Sequence, residues 1–328
     1  MIIESPIIEL KKQFYKEDSI FHPITCNNFY IKREDLIPDC FGGNKARIVS
    51  RYFEEIDKGQ YDVIVTYGGS DSNLCRIISN SAAQRNMRCI VVSPEEICHA
   101  TFNQMMSKMF GAEYKLCQVK EVSSTIEQMI SDLKRDGNKP YFIPGGGHGL
   151  LGTEACIDIY RDILVYEKEQ NMRFDYVFFA SGTGTTQSGI VVGKIIEKDE
   201  RPFIGISIAR ENPRGRKVVL DAIKGYFDYA KESIDEKKIE EQTIVTDKYI
   251  GEGYGAQNSY VTEVITHMMK YYGIPMDSTY TGKAFGGMLD YLIKERIIDS
   301  NILFIHTGGT PLYFDWLVDV SWGGYRTV

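Results

Sequence analysis

The 328-residue sequence contains no C-x-x-C pair, only five histidines, and no basic cluster longer than a pair such as Lys237–Lys238. The first absence argues against a zinc ribbon or dithiol redox motif, and no second His or Cys stands at ligand spacing from His148 or His306 to support a metal there, so no metal site is expected. The third, with 38 basic against 45 acidic residues and a net charge of −7, argues against a nucleic-acid backbone as partner. No apolar run approaches the roughly 18 residues of a membrane span. The start, MIIESPIIEL, has Glu4 and Pro6 where a signal peptide would have a basic region and an apolar stretch. Seven cysteines, odd in number and scattered among apolar neighbours, read as reduced thiols in a cytoplasmic protein. Internal repeats are also lacking. What remains is 43% apolar and 25% charged, an ordinary globular chain whose expected ligand is a small molecule. Two domains are expected from the length, at roughly 100–200 residues each.

Short runs rich in Val, Ile, Phe and Tyr recur at 61–68, 88–94, 174–181, 202–209 and 301–308. Continuous apolarity over so few residues predicts strands of a parallel sheet covered on both faces. Between them, Asn73–Arg85, Ile97–Phe110, Thr185–Glu197 and Ser259–Tyr272 carry apolar residues every three or four positions, as crossover helices do. The polar stretch Lys231–Gln242 reads as a solvated helix or loop. The pattern is α/β and doubly wound, and in such sheets ligands sit beyond the carboxyl ends of the strands. Three of those ends are dense in Gly, Ser, Thr and Asn: 68–73, 181–189 and 306–309.

The turn Ser181–Gly189 delivers a strand into a helix. Glycines at 182 and 184 permit close approach, and Thr183, Thr185 and Thr186 add hydroxyl donors, which together form a phosphate nest at a helix N-terminus. It is not a P-loop, because Gly189 is followed by Ile190 rather than Lys, and not a dinucleotide fingerprint, because Gln187 stands where a third Gly is needed. Lys45 follows Gly-Gly-Asn. A solvated lysine is protonated and inert, but one packed against a close backbone is desolvated, loses its proton readily and forms a Schiff base with an aldehyde. A phosphate nest together with an activated lysine is what a pyridoxal 5'-phosphate (PLP) site requires.

KREDL (32–36), FGGNKAR (41–47), TYGGSDSN (66–73), GLLGTEA (149–155), SGTGTTQSG (181–189), YTGKAFGG (280–287) and HTGG (306–309) follow one another in this order. In this the chain resembles the fold-type II PLP-dependent enzymes, the tryptophan synthase β-like fold, and within them the D-cysteine desulfhydrase and 1-aminocyclopropane-1-carboxylate (ACC) deaminase family. The resemblance spans about residues 30–315. It implies a large PLP-binding domain of residues 1–48 and 160–328, a smaller inserted α/β domain of residues 49–159, and a homodimer. It places Lys45 as the Schiff-base lysine with Asn44 beside the cofactor, Thr183, Gly184, Thr185 and Thr186 at the phosphate, Asn73 at the pyridoxal O3', and Thr307 beside the pyridine nitrogen. A hydroxyl is a weaker partner for that nitrogen than a carboxylate, so the ring would be a softer electron sink. Ser72, Tyr254 and Tyr280 match catalytic positions, and Ser72 has a second reading as a helix N-cap. Thr281 matches a substrate-side position where the deaminase branch tends to carry Glu, which favours desulfhydrase chemistry.

Departures bear on the substrate. Where the family reads Gln-Ser-Asn followed by His or Gln, this chain has Asp71 before Ser72 and Leu74 after Asn73. Asp71 puts an anion where an α-carboxylate would bind, and it either receives a substrate amine or turns outward. Ile48 replaces a basic residue that often contacts the phosphate. The nest and Arg47 are candidates to compensate, and Arg47 is equally open to a structural ion pair. His148 and His306, both in Gly-rich turns, are expected to bond backbone rather than to act catalytically. The resemblance implies a lyase acting on a small amino acid by α,β-elimination and deamination to a 2-oxo acid and ammonia. β-Replacement on an atypical amino acid is the alternative, and a non-catalytic PLP-binding protein the third reading.

Overall fold

Runs such as VIVTY and YVFFAS are too apolar to tolerate water on either face, and each becomes an interior strand. The computed structural model describes residues 4–15, 19–95, 100–251 and 258–322. It contains the strands β1 (Ile7–Glu9), β2 (Asn28–Arg33), β3 (Val63–Tyr67), β4 (Arg88–Pro94), β5 (Glu113–Cys117), β6 (Pro140–Ile143), β7 (Tyr176–Ser181), β8 (Phe203–Ser207), β9 (Ile244–Thr246) and β10 (Asn301–His306). They form two sheets, one of six strands in the order β1-β2-β10-β7-β8-β9 and one of four in the order β5-β4-β3-β6. Every pairing is parallel except that of the edge strand β1 with β2.

The five strands expected from sequence are present, each within two residues of its expected start, and so are the four crossover helices. The second of these runs Phe102–Met109, and residues 97–99 of its expected span lie outside the described residues. The polar stretch contains the helix Glu236–Gln242. No helix of the described residues is long and apolar enough to cross a membrane.

Alternation along β7 divides the interior. Phe178 and Ala180 pack with Ile204, Ile206 and Phe304 on one face of the large sheet. Val177 and Phe179 enter the other core, which also takes Ile64 of β3 and Val91 of β4. That core therefore serves both sheets. Two helices knit it: Asn44–Ile56 contributes Ala46, Ile48, Val49, Tyr52 and Phe53, and Leu150–Gln170 contributes Cys156, Ile159, Tyr160 and Ile163. The domain boundaries expected at 48/49 and 159/160 fall inside these two helices.

Beneath this core lies a buried charge network. Glu34, fully buried, accepts from Arg47 Nε at 2.6 Å and Nη2 at 2.9 Å, with Lys32 Nζ at 3.2 Å. Arg47 and Lys32 both reach Asp162, at 2.6 and 2.9 Å. Burial alone would push the Glu34 carboxyl up, but the two cations outweigh it and hold the group below the usual carboxylate range. Arg47 is thus a structural partner, the second of the two roles open to it. Removing one member of such a network strands the others in a medium of low dielectric. Glu34→Gln is expected to cost about 3–5 kcal/mol, read as a lower urea-denaturation midpoint with an unchanged slope.

Candidate active site

Six strands release the chain at their carboxyl ends toward one cavity of about 470 Å³, within the range of about 300–1,000 Å³ usual for small-ligand sites. Lys45 comes from the helix after β2, Asp71, Ser72 and Asn73 from after β3, Gly146 and His148 from after β6, Thr183, Gly184 and Thr186 from after β7, Arg210 from after β8, and Thr307 from after β10. Tyr280 lines it as well, and Lys45 is the one lysine among the lining residues.

The position of Lys45 depends on two glycines. Gly43 has φ +101° and Gly308 φ +107°, a region that L side chains rarely adopt. A Cβ on Gly308 would stand 2.6 Å from the Gly43 Cα, so only glycines allow the two turns to touch. Across this contact the Asn44 N–H donates to the Thr307 carbonyl at 3.0 Å. Lys45 then leaves the first turn of its helix pointing into the cavity, where Nζ donates to the Gly146 carbonyl at 2.9 Å. Burial lowers its pKa from the ordinary lysine value, with Cys156 pulling slightly the other way. Burial pushes the Cys156 thiol itself up to about 12, while Lys45 and Thr186 act to lower it. Cys156 is fully buried and lies behind the cavity wall.

Opposite Lys45, Gly184 with φ +93° caps the helix Thr185–Ile196, whose first N–H groups have no intrahelical partner. Asn44 Nδ2 donates to Thr186 Oγ1 at 2.5 Å, joining the lysine helix to this turn. Thr183 Oγ1 and Thr185 Oγ1 stand 3.4 Å apart.

On the third wall, Ser72 caps the helix Asn73–Ala83 by accepting the Cys75 N–H at 3.2 Å, and it also lines the cavity, so both readings of this residue hold geometrically. Asn73 Oδ1 accepts from Arg76 Nη1 at 2.6 Å and Asn103 Nδ2 at 3.1 Å. Its oxygen is thereby occupied on the protein side and its amide nitrogen is the group left to donate to an oxygen in the cavity. Asp71 lines the same wall, and so does Leu74, which is otherwise buried.

Thr281 departs from expectation. It is fully buried and absent from the cavity lining, and its hydroxyl donates to Asp277 Oδ2 at 2.7 Å. Asp277 also accepts the N–H groups of Thr279, Tyr280 and Thr281 and so fixes Tyr280 at the cavity rim. Thr281 supports that turn and does not face the substrate space. Tyr254 lies outside the described residues. His306 is buried and bonded to backbone as expected, with Nε2 at 2.9 Å from the Pro275 carbonyl and Nδ1 accepting from the Gly308 N–H at 3.3 Å. His148 differs: the residue lines the cavity, and its Nδ1 stands 3.3 Å from Thr185 Oγ1.

Two functional residues went unnoticed in the sequence. Arg76, whose pKa burial lowers to about 10, links Asn73 to the carbonyls of Cys40 and Gly42 in the lysine loop. Its signal was the i,i+3 spacing from Asn73. Arg210 donates to the Thr183 carbonyl at 3.0 Å, and its signal was its place just past a strand end.

The donor set suits a phosphorylated aldehyde. One end offers an amine held below its ordinary pKa, and the other a hydroxyl-bearing helix N-terminus.

The sequence family of pyridoxal-phosphate dependent enzymes matches residues 6–308. D-cysteine desulfhydrase of Serratia proteamaculans is 28% identical over 295 residues, covering 87% of each chain. The ACC deaminase of Ralstonia nicotianae is 31% identical over 295 residues, covering 86% of each. A solved ACC deaminase homologue superposes with a TM-score of 0.82 at 28% identity, over 97% of this chain and 94% of that one. O-ureido-L-serine synthase, at 14% identity and a TM-score of 0.66, shares the fold. With a family match over nearly its whole length and a cavity whose donors suit the cofactor, the chain belongs to the pyridoxal-phosphate dependent enzymes, as a fold-type II member that uses PLP.

Proposed function

We propose that the protein takes a small amino acid, D-cysteine or a β-substituted alanine first, through α,β-elimination and deamination to a 2-oxo acid and ammonia. With D-cysteine and one water the products are pyruvate, ammonia and hydrogen sulfide. The observation that carries this reading is that Lys45, Ser72 and Tyr280 all line one cavity.

Lys45 is the amine that would bond the cofactor aldehyde. Asn44, Thr183, Gly184, Thr185 and Thr186 would hold the phosphate end, Asn73 would donate to the ring oxygen, and Thr307 would stand beside the ring nitrogen. When bound, the cofactor supplies an electron sink for charge developing at the substrate Cα. Lys45, neutral more readily than an ordinary lysine, is the base for the Cα proton, with Ser72 orienting or relaying it. Tyr280, held by Asp277, donates a proton to the departing sulfur.

A second reading, β-replacement by an external nucleophile or turnover of an atypical amino acid, draws support from Asp71, which places a carboxylate on the substrate wall. Product analysis separates the two, because pyruvate and ammonia form without an added nucleophile only in elimination. The two sheets support a division into domains of residues 1–48 with 160–328 and 49–159. The unpaired cysteines and the family resemblance point to a cytoplasmic homodimer.

Borohydride reduction followed by peptide mapping is expected to place the pyridoxyl label on Lys45, and a label on another lysine overturns the assignment. Asp71→Asn is expected to lower KM for plain α-amino acids about fivefold or more, since like charges about 4 Å apart repel by roughly 1–4 kcal/mol at effective dielectrics of about 80–20. An unchanged KM would remove Asp71 from the carboxylate end.

A further inference from the structure

His148 lines the cavity, and the reaction above gives it no role. We propose that His148 is a proton-coupled member of the phosphate cradle, which is neutral when the cradle holds no anion and takes up a proton when a phosphate dianion seats on Thr183–Thr186. The proposal rests on the placement of the phosphate at that turn.

The turn carrying His148 is packed onto the cradle. A Cβ on Gly146 would stand 2.7 Å from Thr183 Oγ1, and the His148 Nδ1, Thr185 Oγ1 and Thr183 Oγ1 atoms follow one another at 3.3 and 3.4 Å. The Tyr52 hydroxyl donates to the His148 carbonyl at 2.5 Å and anchors the backbone beneath the ring.

The cradle is short of fixed charge. Ile48, at the position where a basic residue could reach the phosphate, is fully buried, and its Cγ2 would stand 2.4 Å from a Cβ on Gly147, next to His148. Arg47 is committed to Glu34 and Asp162. Arg210 spends one N–H on the Thr183 carbonyl.

The proton logic follows from the single hydrogen on Thr185 Oγ1. With a neutral ring accepting at Nδ1, that hydrogen points at His148. When a phosphate oxygen takes the hydrogen, Nδ1 must become a donor, and a dianion nearby favours the ring that donates from both nitrogens. The charged groups acting on the ring are Lys45, from the helix after β2, and Arg210, from the segment after β8. The hydroxyls of Thr185 and Tyr52 face the residue from two further helical contacts. Burial, then Lys45, then Arg210 pull the imidazole down to about 4. A bound dianion opposes all three. Since the ring's midpoint is low in the free state and higher in the bound one, binding takes up a proton, and affinity rises as pH falls from neutral toward the free-state midpoint.

The test uses the full chain freed of cofactor and pyridoxine 5'-phosphate, which has the same phosphate and no aldehyde to engage Lys45. The His148 ring resonance, identified by its loss in His148→Gln, is followed across the range from about pH 4 to about pH 8.5. Its midpoint is expected to rise by about 2.5 units or more with the ester and to stay put with unphosphorylated pyridoxine. The ratio of wild-type to His148→Gln affinity for the ester is expected to widen about fivefold or more from pH 8.5 to pH 6. A fixed midpoint or a flat ratio, with the Thr183–Thr186 amides shifting on ester binding, overturns the role of His148 and leaves the cradle intact. Amides that do not shift while the ester binds elsewhere overturn the cradle and the proposal together.

Discussion

The contact of two backbones, at Gly43 and Gly308, is the constraint on which the site depends. It joins turns 265 residues apart in sequence and leaves no room for a side chain at Gly308. Because the Asn44 N–H then bonds the Thr307 carbonyl, the reactive amine and the far wall of the cavity are held by one rigid junction. Everything else the cavity needs, a base of lowered pKa, a hydroxyl turn and a donor amide, is placed relative to that junction.

Charge is sorted around it. The KRED segment leaving β2 has its charges neutralised before the chain reaches Lys45. Lys32 and Glu34 meet Arg47 and Asp162 on one side. Arg33 and Asp35 pair at 2.6 Å on the other, with Asp35 3.3 Å from His306 behind the HTGG turn. Buried ions paired in this way fix geometry and leave little net field. Among the described residues Lys45 has no such carboxylate partner, and desolvation is the main influence on its pKa.

Legibility in the sequence followed the range of the interactions involved. Strands such as 174–181 were readable because continuous apolarity has one structural meaning in a run of that length. The turn 181–189 was readable because Gly and Thr at a strand end have a local purpose. The role of Thr281 was misread because its partner is Asp277, whose capping geometry appears only once the turn is built. β5 and β6 escaped notice because Glu113–Cys117 is half exposed and Pro140–Ile143 is four residues opening on a proline. The expected domain boundaries fall inside helices 44–56 and 150–170, which serve both sheets, and no composition shift marks a segment shared between them. The lining position of His148 depends on how the turn after β6 settles on that after β7, a contact between distant segments that spacing does not encode.

The thiol behind the cavity wall has one further consequence. Only a thiolate attacks an electrophile or is oxidised quickly, whereas a protonated buried thiol is inert. Cys156, buried and with its pKa near 12, keeps its proton although it neighbours Lys45. The wall that backs the reactive amine therefore offers no competing nucleophile to an aldehyde entering the cavity.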